Sequence, residues 1–168
     1  MTIEAQFSLS KEQRLIHDTV RSFARKTVAQ HAAAIDREAR YPQHMFDALK
    51  DLGLFALPFP DTYGGSASML SACVAVEELG RVCYNTAYLL VVQWVPFGAI
   101  LAGGNDEQRS RWLPGLASGE TRAALSVTEP GVGSDVAGLS TRAKRVNGGY
   151  RLTGTKIYCT NAAVSDFI

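Results

Sequence analysis

The densest cluster of residues able to do chemistry is the segment TEPGVGSDVAG, from Thr128 to Gly138. Its three glycines and the hydroxyls of Thr128 and Ser134 predict a turn with many exposed backbone N–H groups. Such a turn can bind a phosphate or the polar edge of a heterocycle. The glycine spacing differs from a dinucleotide fingerprint, and no Lys-Ser or Lys-Thr closes a P-loop. On composition alone, a plain turn between two strands remains the simpler interpretation.

A second candidate is the segment GTKIYCTN, from Gly154 to Asn161. Tyr158 and Thr160 flank Cys159, so in a strand their side chains would share one face. An aromatic ring beside a hydroxyl can pack on a planar cofactor and hydrogen-bond to it. An ordinary half-buried strand fits the same pattern and is the interpretation that these residues alone favour.

Charge and composition exclude several classes of protein. The 17 basic and 16 acidic residues give a net charge of +1, which argues against a broad nucleic-acid-binding surface. The three cysteines match no zinc ligand set, so no metal site is predicted, and scattered thiols indicate a reducing, cytoplasmic compartment. The N-terminal residues MTIEAQFSLSKEQ lack the basic and apolar regions of a secretory signal.

The most apolar stretch runs from Thr86 to Ala102 and is interrupted by Gln93 and Pro96. It is shorter than the roughly 20 residues that a membrane span needs. We therefore predict a buried core helix and no membrane span.

Helical periodicity dominates the chain before residue 119. Two capping-box pairs, Ser10 with Gln13 and Asn105 with Gln108, and several turn residues set the expected ends of the helices. The predicted helices cover residues 10–27, 42–53, 67–79 and 86–102, and a short fifth helix runs from 105 to a stop before Pro114. The inward face of the third helix is predicted to be Met69, Ala72, Cys73 and Val76.

Beyond residue 119 the periodicity changes to the two-residue alternation of strands. The predicted strands cover residues 123–127, 141–146, 150–152 and 156–160. Asn147-Gly148 predicts a hairpin turn, because both residues tolerate positive φ. Two or three hairpin strands cannot bury a core alone, so we expect this region to begin a sheet or barrel that further sequence completes.

Four motifs, in order and over nearly the whole chain, resemble those of the acyl-CoA dehydrogenase family. They are PDTYGGS from Pro60, EELGR from Glu77, GNDEQRSRWLP from Gly104 and TEPGVGSDVAG from Thr128. The last is followed, as in the family, by Lys156, Tyr158, Thr160 and Asn161.

The resemblance implies an α+β multidomain fold. An N-terminal all-α domain would cover residues 1–119, and the first strands of a β-barrel-like middle domain would cover 120–168. The family's C-terminal helical bundle is absent from this chain.

The resemblance also implies FAD as the cofactor. Backbone groups near Val127 and Thr128 would meet the polar edge of the isoalloxazine, the Thr160 hydroxyl would bond near flavin N5, and Tyr158 would pack against the ring. Ser134 would lie where the flavin pyrophosphate and the thioester substrate both approach. The full set of implied cofactor residues is Leu125, Ser126, Val127, Thr128, Gly133, Ser134, Tyr158, Cys159 and Thr160.

Some residues depart from the family pattern. Leu125 stands where the family often has an aromatic residue, Tyr158 replaces a frequent Trp, and Ala162-Ala163 replaces a frequent Gly-Gly. The resemblance further places the helices of residues 70–79 and 84–102 beside the acyl pocket. Tyr88, Trp94 and Phe97 are bulky enough to shorten this pocket, although core packing is the favoured role for these rings.

The implied reaction is the α,β-dehydrogenation of an acyl-CoA or acyl-carrier thioester, with an electron-transfer-flavoprotein-like acceptor. No residue here matches the family's usual C-terminal catalytic glutamate, and Glu129 is expected to be structural, so we expect the chain alone to be inactive. The resemblance also implies a homo-oligomer, tetramer or dimer, and a role in fatty acid metabolism. A flavin monooxygenase or oxidase of the same fold, and a non-catalytic truncated interaction module, remain alternatives.

Overall fold

The computed structural model describes residues 8–168, so the sequence expectation on the N-terminal segment lies in part outside the described residues. The chain divides into two compact units, residues 1–121 and 122–168. The first is helical, and the second holds one two-stranded antiparallel sheet among the residues described.

Six α-helices follow one another within the described part of the first unit. They are α1 (Lys11–Phe23), α2 (Ala29–Glu38), α3 (Gln43–Asp51), α4 (Met69–Gly80), α5 (Tyr84–Gly103) and α6 (Asp106–Ser118). A π-helical turn, Ala24–Val28, joins α1 to α2. Both capping boxes are confirmed: the Gln13 N–H donates to the Ser10 hydroxyl (3.1 Å), and the Gln108 N–H donates to the Asn105 side chain (2.8 Å).

The predicted end of the fifth helix before Pro114 is wrong. Helix α6 continues through Pro114 to Ser118 and ends at Gly119, whose φ is +78°. Proline removes one helical hydrogen bond. The turn around it nevertheless buries Leu113, Leu116 and Ala117 almost completely, and this apolar burial offsets the missing bond.

The predicted inward face of the 67–79 helix is also wrong in part. Ala72 is buried, but Met69 is 66% exposed and Cys73 lies on the surface. The buried stripe of α4 is instead Ser71, Ala72, Val74, Ala75, Glu78 and Leu79. Because α4 carries apolar residues on nearly every side, periodicity alone did not select a face, and packing against neighbouring helices did.

Helix α5 is the apolar centre of the first unit. Leu90 and Phe97 are fully buried, and Phe97 stacks on Phe59. Polar side chains fix its position: Gln93 donates to the carbonyls of Leu116 (3.1 Å) and Thr121 (2.7 Å), and the Trp94 indole donates to the Phe55 carbonyl (2.8 Å). Trp94 and Phe97 therefore contribute to core packing, whereas Tyr88 is 37% exposed and stacks on Tyr84.

The length argument against a membrane span does not hold, because α5 has 20 residues and runs through Gln93 and Pro96. Among the described residues it is the one helix long and apolar enough to cross a membrane by length and composition. Gln93 and Pro96 are both buried within the helical unit. That environment supports the role of a core helix.

A charge cluster joins α4 to α1. The Glu78 side chain is only 8% exposed, and its carboxylate lies 3.4 Å from His17 Nε2, 3.8 Å from Arg21 Nε and 3.4 Å from Arg81 Nε. Burying a carboxylate is costly unless it is paired. The cluster therefore ties the first helix to the buried face of α4.

The second unit is built around a hairpin and a turn. Strands β1 (Arg142–Val146) and β2 (Gly149–Thr153) pair in antiparallel register around Asn147-Gly148, of which Gly148 alone takes positive φ (+79°). The predicted strands 141–146 and 150–152 are thus confirmed. A Cβ at Gly154 would collide with the side chain of Thr141, so only glycine allows this approach at the base of the hairpin.

Two other predicted strands are absent. Residues 123–127 form only an isolated bridge, between Ala123 and Phe167, and residues 156–160 form no regular strand. A strand requires a hydrogen-bonded partner along its length. In the described chain these two segments make isolated backbone hydrogen bonds instead of a ladder.

The Glu129 carboxylate organises the turn between these segments and is 4% exposed. It accepts hydrogen bonds from the Ser140 N–H (2.9 Å), the Ser140 hydroxyl (2.6 Å), the Thr141 N–H (2.9 Å) and Lys156 Nζ (3.0 Å). Hydrogen bonds from the Ser140 hydroxyl and from the Ser140 and Thr141 backbone amides lower the pKa of Glu129 far below its ordinary value of 4.5. The structural role expected for Glu129 agrees with this network.

Replacing Glu78 should destabilise the first unit. We expect Glu78→Ala to lower the free energy of unfolding by about 1–3 kcal/mol, since it removes the buried partner that the side chains of Arg21, Arg81 and His17 share. Chemical denaturation monitored by circular dichroism measures the change. The control is Glu77→Ala on the same helix: its side chain is 61% exposed, so its effect should be much smaller than that of Glu78→Ala. Equal losses in the two variants would contradict a role for the cluster.

Glu129 should make the second unit sensitive to acid. Because folding lowers the pKa of this carboxyl, its stabilisation is fully present above pH 4.5 and is lost as the pH falls below that value. The difference in unfolding free energy between the wild type and Glu129→Gln should therefore be largest near neutral pH and shrink in acid. Denaturation between about pH 7 and pH 3 tests this, with exposed Asp135→Asn as the control. A difference independent of pH would refute it.

Candidate functional site

The backbone from Val127 to Glu129 is held by residues distant in sequence. Lys156 Nζ donates to the Val127 carbonyl at 2.7 Å, and the Ile157 N–H donates to the Thr128 carbonyl at 2.9 Å. The Glu129 N–H in turn donates to the Val132 carbonyl at 3.0 Å. These three bonds fix the orientation of two successive peptide groups.

Open groups remain on the same segment. Among residues 8–168 no acceptor bonds the N–H of Val127 or of Thr128, and the buried Ser126 hydroxyl has no hydrogen-bond partner. The Leu125 side chain is 45% exposed. Unpaired buried polar groups are uncommon in native proteins and call for a partner. The segment thus offers backbone donors and a hydroxyl beside an exposed apolar side chain.

The turn that follows leaves room for a ligand to approach its backbone. A Cβ placed on Gly131 or Gly133 would meet no heavy atom within 4 Å. Ser134 is exposed, and its carbonyl accepts the Val136 N–H at 3.0 Å. Its hydroxyl is bonded to no other described residue.

The predicted common face of Tyr158 and Thr160 does not follow from a strand. Tyr158 has φ +55° and Asn161 has φ +66°, so the chain turns sharply at both and the two-residue alternation is broken. The Tyr158 ring is 87% exposed, Cys159 is half-buried and Thr160 is exposed. A tyrosine in the left-handed region costs about 1–2 kcal/mol. Such strain is concentrated at functional sites.

These features fit a bound flavin. An isoalloxazine offers acceptor atoms along one edge and a flat apolar face, and the open Thr128 N–H, the Ser126 hydroxyl and the exposed Leu125 side chain match those requirements. The exposed ring of Tyr158 offers a further flat surface. No group of three metal-binding side chains occurs in the part of the chain that the structure describes.

The structure connects the two candidate segments through a pair that the sequence did not identify. Lys156 and Glu129 are 27 residues apart in sequence, and their side chains are 25% and 4% exposed. Each residue belongs to a motif, but no local signal pairs them.

Comparisons with known proteins agree with both units. Residues 10–120 match the family described as "Acyl-CoA dehydrogenase, N-terminal domain", and residues 124–168 match "Acyl-CoA dehydrogenase, middle domain". A probable acyl-CoA dehydrogenase of Bacillus subtilis is 38% identical over 160 residues, which are 94% of this chain and 42% of that protein. The chain thus spans less than half the length of this relative.

Solved structures give the same result. A glutaryl-CoA dehydrogenase from Mycobacterium smegmatis in complex with FADH2 is 29% identical with a TM-score of 0.86, over 94% of this chain and 41% of that chain. A structure described as the electron transferring flavoprotein of Acidaminococcus fermentans is 31% identical with a TM-score of 0.88, over 96% and 43%. From the two matching domains and these likenesses, the chain belongs to the acyl-CoA dehydrogenase family.

Proposed function

We propose that this chain is the N-terminal part of an FAD-dependent acyl-CoA dehydrogenase that oxidises an acyl thioester to the 2,3-enoyl thioester. The observation that carries the proposal is the fixed backbone at Val127 and Thr128, with its N–H groups open and an unpartnered Ser126 hydroxyl beside them. Relatives named as acyl-CoA dehydrogenases support the class of reaction. The relative solved with FADH2 supports the cofactor.

Each residue of the site has a proposed task toward the flavin. The backbone at Val127 and Thr128 donates to the polar edge of the ring, and Leu125 packs against its face. On the other segment, Tyr158 packs against the ring, Cys159 borders it and the Thr160 hydroxyl bonds near N5.

Gly133 and Ser134 serve the remaining part of the cofactor and the substrate. Gly133 leaves its backbone open to the pyrophosphate. The Ser134 hydroxyl lies on the same turn and would contact both the pyrophosphate and the thioester.

FAD bound at this site would supply the redox chemistry, the two-electron oxidation of the acyl thioester. A carboxylate must take the α-proton, and Glu129 does not suit that role, because it is buried and engaged by Ser140, Thr141 and Lys156. The residues described here therefore bind and orient, while the base is supplied from elsewhere in the complete enzyme.

We further propose an electron-transfer-flavoprotein-like acceptor, a choice supported by the likeness to the electron transferring flavoprotein structure of Acidaminococcus fermentans. Also proposed are a homo-oligomeric assembly, tetramer or dimer, a cytoplasmic location and a role in fatty acid metabolism.

The direct test is the flavin content and reactivity of the protein expressed from its complete reading frame. We expect a yellow protein with the absorption bands of bound oxidised flavin. Anaerobic addition of a panel of acyl-CoA thioesters should bleach these bands and yield the 2,3-enoyl product by mass spectrometry. Absence of bound flavin, or flavin that no acyl thioester reduces, would refute the proposal.

Thr160 should affect the rate of flavin reduction. Loss of one neutral hydrogen bond costs about 0.5–1.5 kcal/mol, so Thr160→Val should slow reduction by up to roughly tenfold. Valine keeps the shape of the side chain, so folding and FAD content should be retained. Stopped-flow absorbance of the FAD-loaded protein measures the rate.

A matched control for this change is Thr153→Val, at an exposed position on β2. It should leave the rate of flavin reduction unchanged. If Thr160→Val has the same rate and flavin spectrum as the wild type, Thr160 has a structural role alone.

A further inference from the structure

We propose that Lys156 is a positioning residue for the flavin: its ammonium group polarises the Val127–Thr128 peptide and makes the Thr128 N–H a stronger donor toward the cofactor. The inference rests on the proposed function, since it assigns a further residue to the same site. Lys156 acts on the flavin only through this peptide.

The Val127–Thr128 peptide group is hydrogen-bonded at its carbonyl end and unbonded at its amide end. At the carbonyl end, Lys156 Nζ lies 2.7 Å from the Val127 oxygen. At the amide end, the Thr128 N–H has no acceptor among the described residues. A cation at the carbonyl withdraws electron density from the amide nitrogen, and hydrogen bonds in such chains strengthen one another. The effect of Lys156 therefore reaches the open donor.

The next peptide group, Thr128–Glu129, is hydrogen-bonded at both ends and so fixes the direction of the Thr128 N–H. The Thr128 carbonyl accepts the Ile157 N–H at 2.9 Å, and the Glu129 N–H donates to Val132 at 3.0 Å. Lys156 and Ile157 are adjacent, so a single segment holds both peptides. The Thr128 N–H is therefore both polarised and fixed in orientation.

Glu129 holds Lys156 in place but does not depend on it. Its carboxylate lies 3.0 Å from Nζ and also accepts three hydrogen bonds from Ser140 and Thr141. Removing the ammonium group leaves this buried carboxylate hydrogen-bonded. We therefore expect variants that lack the Lys156 ammonium group to fold, so that their flavin binding can be measured.

A stronger donor at the polar edge favours reduced flavin over oxidised flavin, because the reduced ring carries more negative charge there. Lys156 should thus tighten FAD binding and raise the midpoint potential of the bound flavin. A residue that only supports the turn would change stability without shifting the potential selectively.

The experiment compares Lys156→Met, Glu129→Gln and Lys144→Met in the protein expressed from its complete reading frame. FAD affinity is measured by fluorescence titration of the apoprotein, and the midpoint potential by equilibration with a redox dye. We expect Lys156→Met to weaken FAD binding by roughly three- to tenfold and to make the potential more negative. Lys144→Met, which removes an exposed cation from β1, should match the wild type.

Glu129→Gln separates polarisation from structural support. It breaks the ion pair but leaves the bond from Lys156 to the Val127 carbonyl, so it should shift the potential less than Lys156→Met does. Lys156→Gln removes the charge and keeps a polar end, and it should shift the potential in the same direction as Lys156→Met. Lys156→Gln takes the place of Lys156→Met if Lys156→Met does not fold.

Two results would overturn the role of Lys156 without affecting the proposed function. One is a potential and spectrum in FAD-loaded Lys156→Met equal to those of Lys144→Met. The other is an equal shift in Lys156→Met and Glu129→Gln that follows their loss of thermal stability. A wild-type protein that takes up no FAD would instead overturn the proposed function itself.

Discussion

The arrangement of the second unit depends on one partly buried ammonium group. Lys156 Nζ bonds the Val127 carbonyl and the Glu129 carboxylate together, and Glu129 in turn fixes Ser140 and Thr141. Both charged groups are largely removed from solvent, so each makes the burial of the other acceptable. Regular strands hold neither the turn after Thr128 nor the segment around Tyr158. The pair therefore adds to the Ile157–Thr128 backbone bond in holding these two segments together.

The first unit uses a different physical basis. Its helices pack through apolar burial around α5, and a few directional bonds set the register, above all those donated by Gln93 and Trp94 to backbone carbonyls. Glu78 adds a charged tie between α1 and α4. Apolar packing is nonspecific in direction, so these polar contacts determine which of several similar arrangements is adopted.

The second unit departs from regular structure where the candidate site lies. Tyr158 takes a left-handed conformation and is highly exposed, and the residues that surround it form no ladder. An exposed aromatic ring held at an unfavourable φ has no evident benefit for folding. Its presence beside open backbone donors is consistent with a surface shaped for a ligand.

The sequence by itself determined the features that depend on near neighbours, whereas only the tertiary structure decided those that depend on distant ones. The capping boxes at Ser10 and Asn105 and the hairpin at Asn147-Gly148 were predicted correctly, because their hydrogen bonds join residues only a few positions apart. The order of the motifs also identified the family correctly. The buried face of α4, the continuation of α6 through Pro114 and the irregular path at Tyr158 depend instead on which surfaces meet after the chain collapses. The Lys156–Glu129 pair is the clearest case, since its members are 27 positions apart in sequence. Either residue resembles an ordinary charged side chain in its local sequence, and the partner that makes its burial favourable is set by the fold.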